Sequence, residues 1–303
     1  MKPRIALFDG NNMIFRAFFA VPMLNTRDGQ ATNAVLGSLK TFKATIQDLR
    51  PDFILLCWDN GKPTFRHEQD ATYKAQRPPI NDDLKSQFTI VQDAFSRLKI
   101  PQIVAPDGME SDDLVGTLAK EASKNGFEAV IVSSDKDFYQ LCDDNIQVHS
   151  FSVKKKNGSG LVNVEYIQKE FDVERPMQLV DIKSLTGEKT DNIAGVRGIG
   201  PKTATALIKQ HGNVGSMVEY MQKNPTTKWA DKILENLDVI SNAYKLAEIN
   251  TDCDVPDIQG KHVSKIRVNE LDLREFFEHY ELNNFLSEFS QWSNMFAYAH
   301  TFA

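Results

Sequence analysis

Cysteine is scarce: Cys57, Cys142 and Cys253 are all that 303 residues contain. The count is odd, the spacings are long and no Cys-x-x-Cys pair occurs, which excludes a disulfide framework and a cysteine zinc site. Long apolar runs are also missing; none approaches the roughly 18 residues of a membrane span. Behind Met1-Lys2-Pro3-Arg4 a short apolar run leads straight to Asp9, with no signal-peptide core. These absences predict a protein of a reducing cytoplasm with no membrane partner. Basic residues are in deficit, 35 against 41 acidic, so the net charge of -6 argues weakly against a polyanion partner. What is present is ordinary for a globular chain: 41% hydrophobic and 25% charged residues exclude wholesale disorder, and the length predicts two domains.

Apolar, β-branched runs mark the first half: Ile5-Ala6-Leu7-Phe8, Phe53 to Trp58, Gln102-Ile103-Val104 and Ala129 to Val132, with Ile146-Gln147-Val148 as a further candidate. Between the first two, Val35, Leu36, Leu39, Phe42, Ile46 and Leu49 follow a 3.6-residue period. Leu114 to Ala122 repeats that pattern. Short, wholly apolar strands alternating with helices predict a parallel sheet buried on both faces. The character changes near residue 170, where helical periodicity at Met177, Val180, Ile182 and Leu185 precedes a glycine-rich hairpin and further helices. Lys154 to Gly160 reads as a basic surface turn. The expected division is therefore 1–170, 171–290 and a tail, 291–303.

Three of the runs end in aspartate, at Phe8-Asp9, Trp58-Asp59 and Ser134-Asp135, and Glu110-Ser111-Asp112-Asp113 opens a helix after the third. Each alone is equally a turn former or a helix N-cap. In open α/β sheets, however, ligands bind beyond the carboxyl ends of the strands, and four coincident placements predict convergence. With Asp137, Glu188 and Asp191 the set numbers nine carboxylates. Like charges that close raise one another's pKa, and divalent cations remove the conflict. Hard oxygen ligands without histidine or cysteine point to magnesium or manganese, and two such ions activate water and stabilise a leaving oxygen at a phosphodiester. With those nine set aside, 35 basic residues face 32 acidic ones, so a nucleic-acid partner is compatible with the charge. A haloacid-dehalogenase phosphatase wants Asp-x-Asp where Asp9-Gly10-Asn11 stands, and a calcium loop wants contiguous ligands.

Ala194 to Ala204 contains Gly195, Gly198 and Gly200 followed by Pro201-Lys202-Thr203. Pro201 interrupts a P-loop, and Thr203 stands where a dinucleotide fingerprint needs glycine. A tight turn opening a helix from Lys202 to Gln210, closed by His211-Gly212, remains. Gly198 and Gly200 let backbone N–H groups approach a phosphate, with Lys202 behind them, a sequence-independent grip on a DNA backbone; a turn joining two packed helices is the plainer alternative. In Phe65 to Pro79, Arg66, Lys74 and Arg77 interleave with Phe65 and Tyr73, a pattern suited to single-stranded nucleic acid or to a solvated helix face. Lys74 and Arg77, three apart, would share a helix face.

Together these motifs resemble the 5'-nuclease family, which includes the 5'-3' exonuclease domain of bacterial DNA polymerase I and the flap endonucleases. The likeness spans about residues 3 to 288. It rests on Phe8-Asp9-Gly10-Asn11 with Phe15-Arg16, Asp59-Asn60-Gly61-Lys62 with Phe65-Arg66, Tyr73-Lys74-x-x-Arg77-Pro78-Pro79, Glu110 to Asp113, Ser134-Asp135-Lys136-Asp137, and Asp191-Asn192-Ile193 with the hairpin. The likeness is strongest to the polymerase I domain, and with no polymerase following, a stand-alone monomeric nuclease is expected, in bacterial cytoplasm or a phage-infected host. The resemblance implies an α/β fold, a PIN-like, mostly parallel sheet flanked by helices, with a helical arch and a C-terminal helix-hairpin-helix region. It implies two Mg²⁺ ions, Mn²⁺ substituting: Asp9, Asp59, Glu110 and Asp112 at the catalytic ion, Asp112, Asp135, Asp137 and Asp191 around the second, and Asp113 in support. Lys74 and Arg77 would contact the scissile phosphate, Tyr73 would stack a base, and Arg16, Phe65 and Arg66 would contact DNA. Gly198, Gly200, Lys202 and Thr203 would grip the duplex, with K⁺ at the hairpin carbonyls. The implied substrates are 5' flaps, nicked or gapped duplexes and RNA primers. A non-catalytic junction binder of the same fold and a PIN-like ribonuclease are the alternatives.

Gln291-Trp292-Ser293-Asn294-Met295-Phe296 lies past the likeness and weakly resembles sliding-clamp peptides, although an amphipathic end packing on the domain fits better. One departure bears on chemistry. Where the family carries Gly-Asp-x-x-Asp-Asn, this chain has Gly187-Glu188-Lys189-Thr190-Asp191-Asn192. Glu188 is a methylene longer, and octahedral magnesium tolerates little displacement. Glu188→Asp is therefore expected to lower the magnesium concentration giving half-maximal cleavage; an unchanged magnesium titration would refute this reading.

Overall fold

The computed structural model describes residues 2–153, 158, 160–255, 263–265, 268–294 and 300–302. The basic turn at 154–160 thus lies largely outside the described residues. In chain order the elements begin β1 (Arg4–Asp9), α1 (Gly10–Ala20), α2 (Asn33–Leu49), β2 (Phe53–Trp58), α3 (Phe65–Gln69), α4 (Asp82–Arg97), β3 (Gln102–Val104), α5 (Ser111–Lys124) and β4 (Glu128–Val132). There follow β5 (Ile146–His149), β6 (Leu161–Val162), α6 (Val164–Phe171), α7 (Gln178–Thr186), α8 (Pro201–His211), α9 (Val214–Lys223), α10 (Ala230–Leu234) and α11 (Leu237–Ala247). The last are β7 (Val263–Lys265), α12 (Glu270–His279), α13 (Asn283–Ser287), α14 (Phe289–Asn294) and β8 (His300–Phe302). Two compact units are interleaved in this order. The first comprises Met1–Asn60, Pro79–Ser134 and Thr251–Ala303, the second Gly61–Pro78 and Asp135–Asn250.

In the first unit β1 lies between β2 and β4, parallel to both, pairing Ile5–Asp9 with Phe53–Cys57 and Arg4–Phe8 with Glu128–Val132. β3 runs parallel beside the carboxyl half of β2, Leu56 opposite Gln102 and Trp58 opposite Val104. β8 meets β2 at Phe53, and β7 is antiparallel to β8. Ile5 to Phe8 are wholly buried, as expected of strands covered on both faces. The six periodic residues of α2 are buried too, and Phe42 joins Phe8 and Phe95 at ring separations of 5.0 and 4.8 Å. Each such aromatic pair contributes about 0.5–1.5 kcal/mol beyond its buried area.

This register sets the site end. Asp9 lies opposite Cys57, two residues before Asp59, so both carboxylates leave the same end of adjacent strands. Gly10 is required here because a Cβ would lie 2.3 Å from the Trp58 ring. Trp58 is in turn held by Nε1–H donating to Gln102 Oε1 at 2.9 Å.

The second unit carries the antiparallel pair β5–β6, with Val148 opposite Val162. Its helices enclose a core of Leu185, Val196, Ile199, Leu207, Ile208, Met217 and Ile240. The glycine hairpin joins α7 to α8 and presses against the end of α7: Val196 N–H donates to Leu185 O at 2.8 Å. Gly187 has φ +68, and a Cβ on Gly195 would lie 2.2 Å from the Thr186 carbonyl carbon. Backbone on both sides of that contact has no room to yield. Gly195→Ala is expected to cost about 1–3 kcal/mol and to lower the melting temperature by roughly 2–12 °C; an unchanged thermal unfolding curve would contradict the packing described.

Candidate active site

The nine acidic residues divide between the units. Asp9, Asp59, Glu110, Asp112 and Asp113 belong to the first, and Asp135, Asp137, Glu188 and Asp191 to the second. Among the described residues no group of three His, Cys, Asp or Glu side chains is arranged to hold a metal ion.

In the first unit hydrogen bonds aim the carboxylates. Asp9 caps α1, Oδ1 accepting the Asn12 N–H at 3.0 Å, while Oδ2 accepts the Ser133 hydroxyl at 2.9 Å. Asp59 is exposed; its N–H donates to Asn11 Oδ1 at 3.0 Å, and its Oδ1 accepts Ser111 N–H at 2.6 Å. Glu110 and Asp113 form a reciprocal cap at the start of α5. Glu110 accepts from the Asp113 N–H, and Asp113 Oδ2 accepts the Glu110 N–H at 3.0 Å. Asp113 is fully buried, so it acts by positioning Glu110, and Asp112 is half-buried in the same first turn. A negative charge there also interacts favourably with the helix dipole. Burial, with the charge of Asp9, pushes the Cys57 thiol up, and all three cysteines are buried.

In the second unit cations of the chain hold the acids. Lys183 on α7 places Nζ 2.5 Å from Asp137 Oδ1 and 2.6 Å from Glu188 Oε2. Burial pulls the Lys183 pKa down, but Asp137 and Glu188 outweigh it and the net shift is upward. Burial first, then the charge of Asp137, raises the Asp135 carboxyl; the Asp137 N–H and Lys183 oppose the shift and Glu188 adds to it. Asp191 is buried and accepts from the exposed Arg77 at 2.6 Å. Sequence reasoning missed Lys183, because an i, i+5 spacing to Glu188 across the end of a helix matches no local pattern. It also missed Ser133 and Asn12, whose only signal is that they lie near Asp135 and Asp9, and it gave Asn11 no role beyond its place in the Asp9 motif.

The segment 65–79 departs from expectation. α3 ends at Gln69, and Asp70 Oδ1 accepts the Thr72 N–H at 2.9 Å, turning the chain. Lys74 adopts φ +55 and its N–H donates to Asp191 O at 2.9 Å. Lys74 and Arg77 therefore lie in a turn and share no helix face. Pro78 also disfavours helical backbone at Arg77.

Two further residues serve the fold where contact with DNA was expected. Arg66 is buried and donates to the carbonyls of Leu246 and Glu248 at 3.0 and 2.8 Å, with the half-buried Phe65 ring 4.5 Å from its guanidinium. Tyr73 is buried with Ile193, Ala243 and Leu246, so its ring is not available to a base as it stands. Arg16 is half-buried on α1, and burial lowers its pKa. Gly198 and Gly200 are exposed on the hairpin, as is Lys202 in the first turn of α8, where Thr203 is half-buried. Of the tail, Trp292 packs against Phe277 and Phe285, and Gln291 accepts from Lys43 at 2.9 Å. Met295 and Phe296 lie outside the described residues.

The model of the "5'-3' exonuclease, N-terminal resolvase-like domain" matches residues 4–172, and that of the "5'-3' exonuclease, C-terminal SAM fold" matches residues 174–272. The chain belongs to the 5'-3' exonuclease family. The 5'-3' exonuclease of Aquifex aeolicus is 32% identical over 286 residues, covering 93% of both chains. DNA polymerase I of Bacillus caldotenax is 34% identical over 293 residues, and this chain spans about a third of its length, as it does for the other polymerase relatives it matches. Among solved structures, T5 5'-exonuclease with bound divalent metal ions (zinc) aligns with a TM-score of 0.67 at 21% identity, covering 92% of this chain and 98% of that one. The catalytic core of Rad2 in complex with DNA substrate aligns with a TM-score of 0.52 at 17% identity, covering 92% and 87%. At those identities the likeness is one of fold.

Lys183→Gln leaves Asp137 and Glu188 facing each other without their ammonium. The metal-free protein is expected to lose about 1–2 kcal/mol, below the value for a fully buried pair because these groups are partly solvated. Divalent cations should restore the melting temperature more strongly in this variant than in the unmutated protein. Equal stabilisation of both by magnesium would show that Lys183 does not guard these carboxylates.

Proposed function

We propose that this chain is a divalent-metal-dependent 5'-3' exonuclease and flap endonuclease that hydrolyses DNA or RNA-primer phosphodiesters near single-strand/double-strand junctions. The observation that carries it is the set of carboxylates anchored at one end of the first unit's sheet, Asp9, Asp59 and Glu110, each fixed by a backbone N–H. That end is where ligands of α/β sheets bind. Family membership and the full-length exonuclease relative support the reading.

In donor type these oxygens suit hard divalent cations. Every candidate ligand is a carboxylate, and the upward push on Asp135 by burial and its acidic neighbours is the conflict such ions relieve. Within the first unit Asp9, Asp59, Glu110 and Asp112 would hold one magnesium or manganese ion, and within the second Asp135, Asp137, Glu188 and Asp191 would supply ligands to another. When bound, such ions lower the pKa of water and polarise a phosphodiester. The chain's own residues do the rest. Asp113 keeps Glu110 in place, Ser133 keeps Asp9 in its rotamer, and Lys183 neutralises Asp137 and Glu188 while the protein is free. Arg77 exchanges Asp191 for a substrate phosphate, a planar fork suited to that geometry, and Lys74 adds a second cation. Gly198, Gly200, Lys202 and Thr203 hold the duplex through its backbone, so junction shape sets specificity.

A labelled 5' flap and a nicked duplex, incubated with magnesium, test the reading. Cleavage at the junction is expected, and Asp112→Asn with Asp135→Asn should retain binding while losing roughly 10²–10³-fold or more in rate, the scale of a single preorganised electrostatic group. Binding without cleavage by the unmutated protein would instead identify a junction-binding protein, and cleavage confined to single-stranded RNA a ribonuclease.

A further inference from the structure

The second unit contains a cleft of about 400 Å³ between α8, α9 and the segment before α10. Its polar and aromatic lining is supplied chiefly by Lys202, Thr203, Gln210, Tyr220, Lys228 and Trp229, and no carboxylate lines it. In a chain with six more acidic than basic residues, that is a local excess of positive charge. Trp229 is half-buried and held at φ +76, a conformation that bulky L-residues rarely adopt. The Nζ atoms of Lys228 and Lys232 stand 5.2 and 5.5 Å from its ring. Lys232 also reaches the hairpin, its Nζ 3.0 Å from where a Cβ on Gly198 would lie. Lys202 and Thr203 bring the first turn of α8 to the cleft, with that helix's unpaired N–H groups behind them.

Rings beside cations, an amide and a hydroxyl match one ligand chemistry: a planar base joined to a phosphate. We propose that this cleft binds a nucleotide, its base against Trp229 and Tyr220 and its phosphate toward Lys202 and Lys228. None of the nine acidic residues lines the cleft; it shares Lys202 and Thr203 with the proposed duplex grip, while Trp229, Tyr220 and Lys228 have no part in that reading. The ligand reaches it either as a residue of a nucleic-acid strand lying past the hairpin or as a free 5'-mononucleotide.

The chain's other two tryptophans, Trp58 and Trp292, are 1% and 0% exposed, so ligand quenching of tryptophan emission reports on Trp229. The full chain in EDTA is titrated with dAMP, deoxyadenosine, inorganic phosphate and a short deoxyadenosine oligonucleotide, with equilibrium dialysis as an independent measure. Saturable quenching by a nucleotide is expected, with deoxyadenosine and phosphate alone weaker by about tenfold or more, as loss of either the charge or the stacking contribution implies. Trp229→Leu should weaken dialysis binding by about tenfold. Lys228→Glu, an exposed change that leaves the fold intact, should do so whether or not the Leu variant folds. Tighter quenching by the oligonucleotide than by dAMP identifies a strand as the source, and equal or better quenching by dAMP a free nucleotide. Absence of quenching by both, or binding unaffected by Lys228→Glu, overturns the proposal. Cleavage of the flap substrate is scored separately, so a protein that binds here without cleaving sinks the nuclease reading and not this one.

Discussion

Carboxylates held near one another repel, and a fold that keeps several of them must offset that repulsion before it can use them. The two units do this differently. In the first, backbone and hydroxyl donors hold the acids: Asp9 accepts from Asn12 and Ser133, Asp59 from Ser111, and Glu110 and Asp113 cap each other. Such hydrogen bonds fix a carboxylate in place without consuming a counter-charge. In the second unit the offset is cationic, with Lys183 between Asp137 and Glu188 and Arg77 on Asp191. Those cations offset the acids' charge in the protein as it stands.

The anchoring has structural consequences beyond charge. Because Asp9 and Glu110 are also helix caps, α1 and α5 begin where the site begins, and neither acid can move without fraying a helix. Trp58 lies over Gly10 and is tied to Gln102, so the strand end that presents Asp59 is braced from both neighbours in the sheet. Around the hairpin the same economy applies to backbone. Gly187 and Gly195 let the end of α7 and the hairpin touch, which fixes the turn whose exposed glycines face outward.

Membership in the 5'-3' exonuclease family follows from motifs spread along most of the chain, and the structure explains why some of them are individually weak. Tyr73-Lys74 and Arg66 read as surface groups because their neighbours are polar. Yet Tyr73 closes a small core with Ile193, Ala243 and Leu246, and Arg66 satisfies carbonyls about 180 residues away. No periodicity spans such distances. Lys183 was invisible for the same reason: its partners gather only once α7 and the loop after it are folded.

The amino-acid sequence by itself determined most of the elements: that the runs at 5–8, 53–58 and 129–132 become buried parallel strands, where α2 and α5 lie, and that aspartates terminate β1 and follow β2, whereas β3 pairs in parallel but leaves Val104 exposed. Those outcomes depend on apolar periodicity and local capping, which act over a few residues. Tertiary structure alone decided which cation holds which acid, that the segment after α3 turns instead of continuing as helix, and that Tyr73 of that segment and Arg66 of α3 are buried. Those outcomes depend on contacts between residues far apart in the chain, and the energy of such a contact exists only after the backbone has brought its partners together.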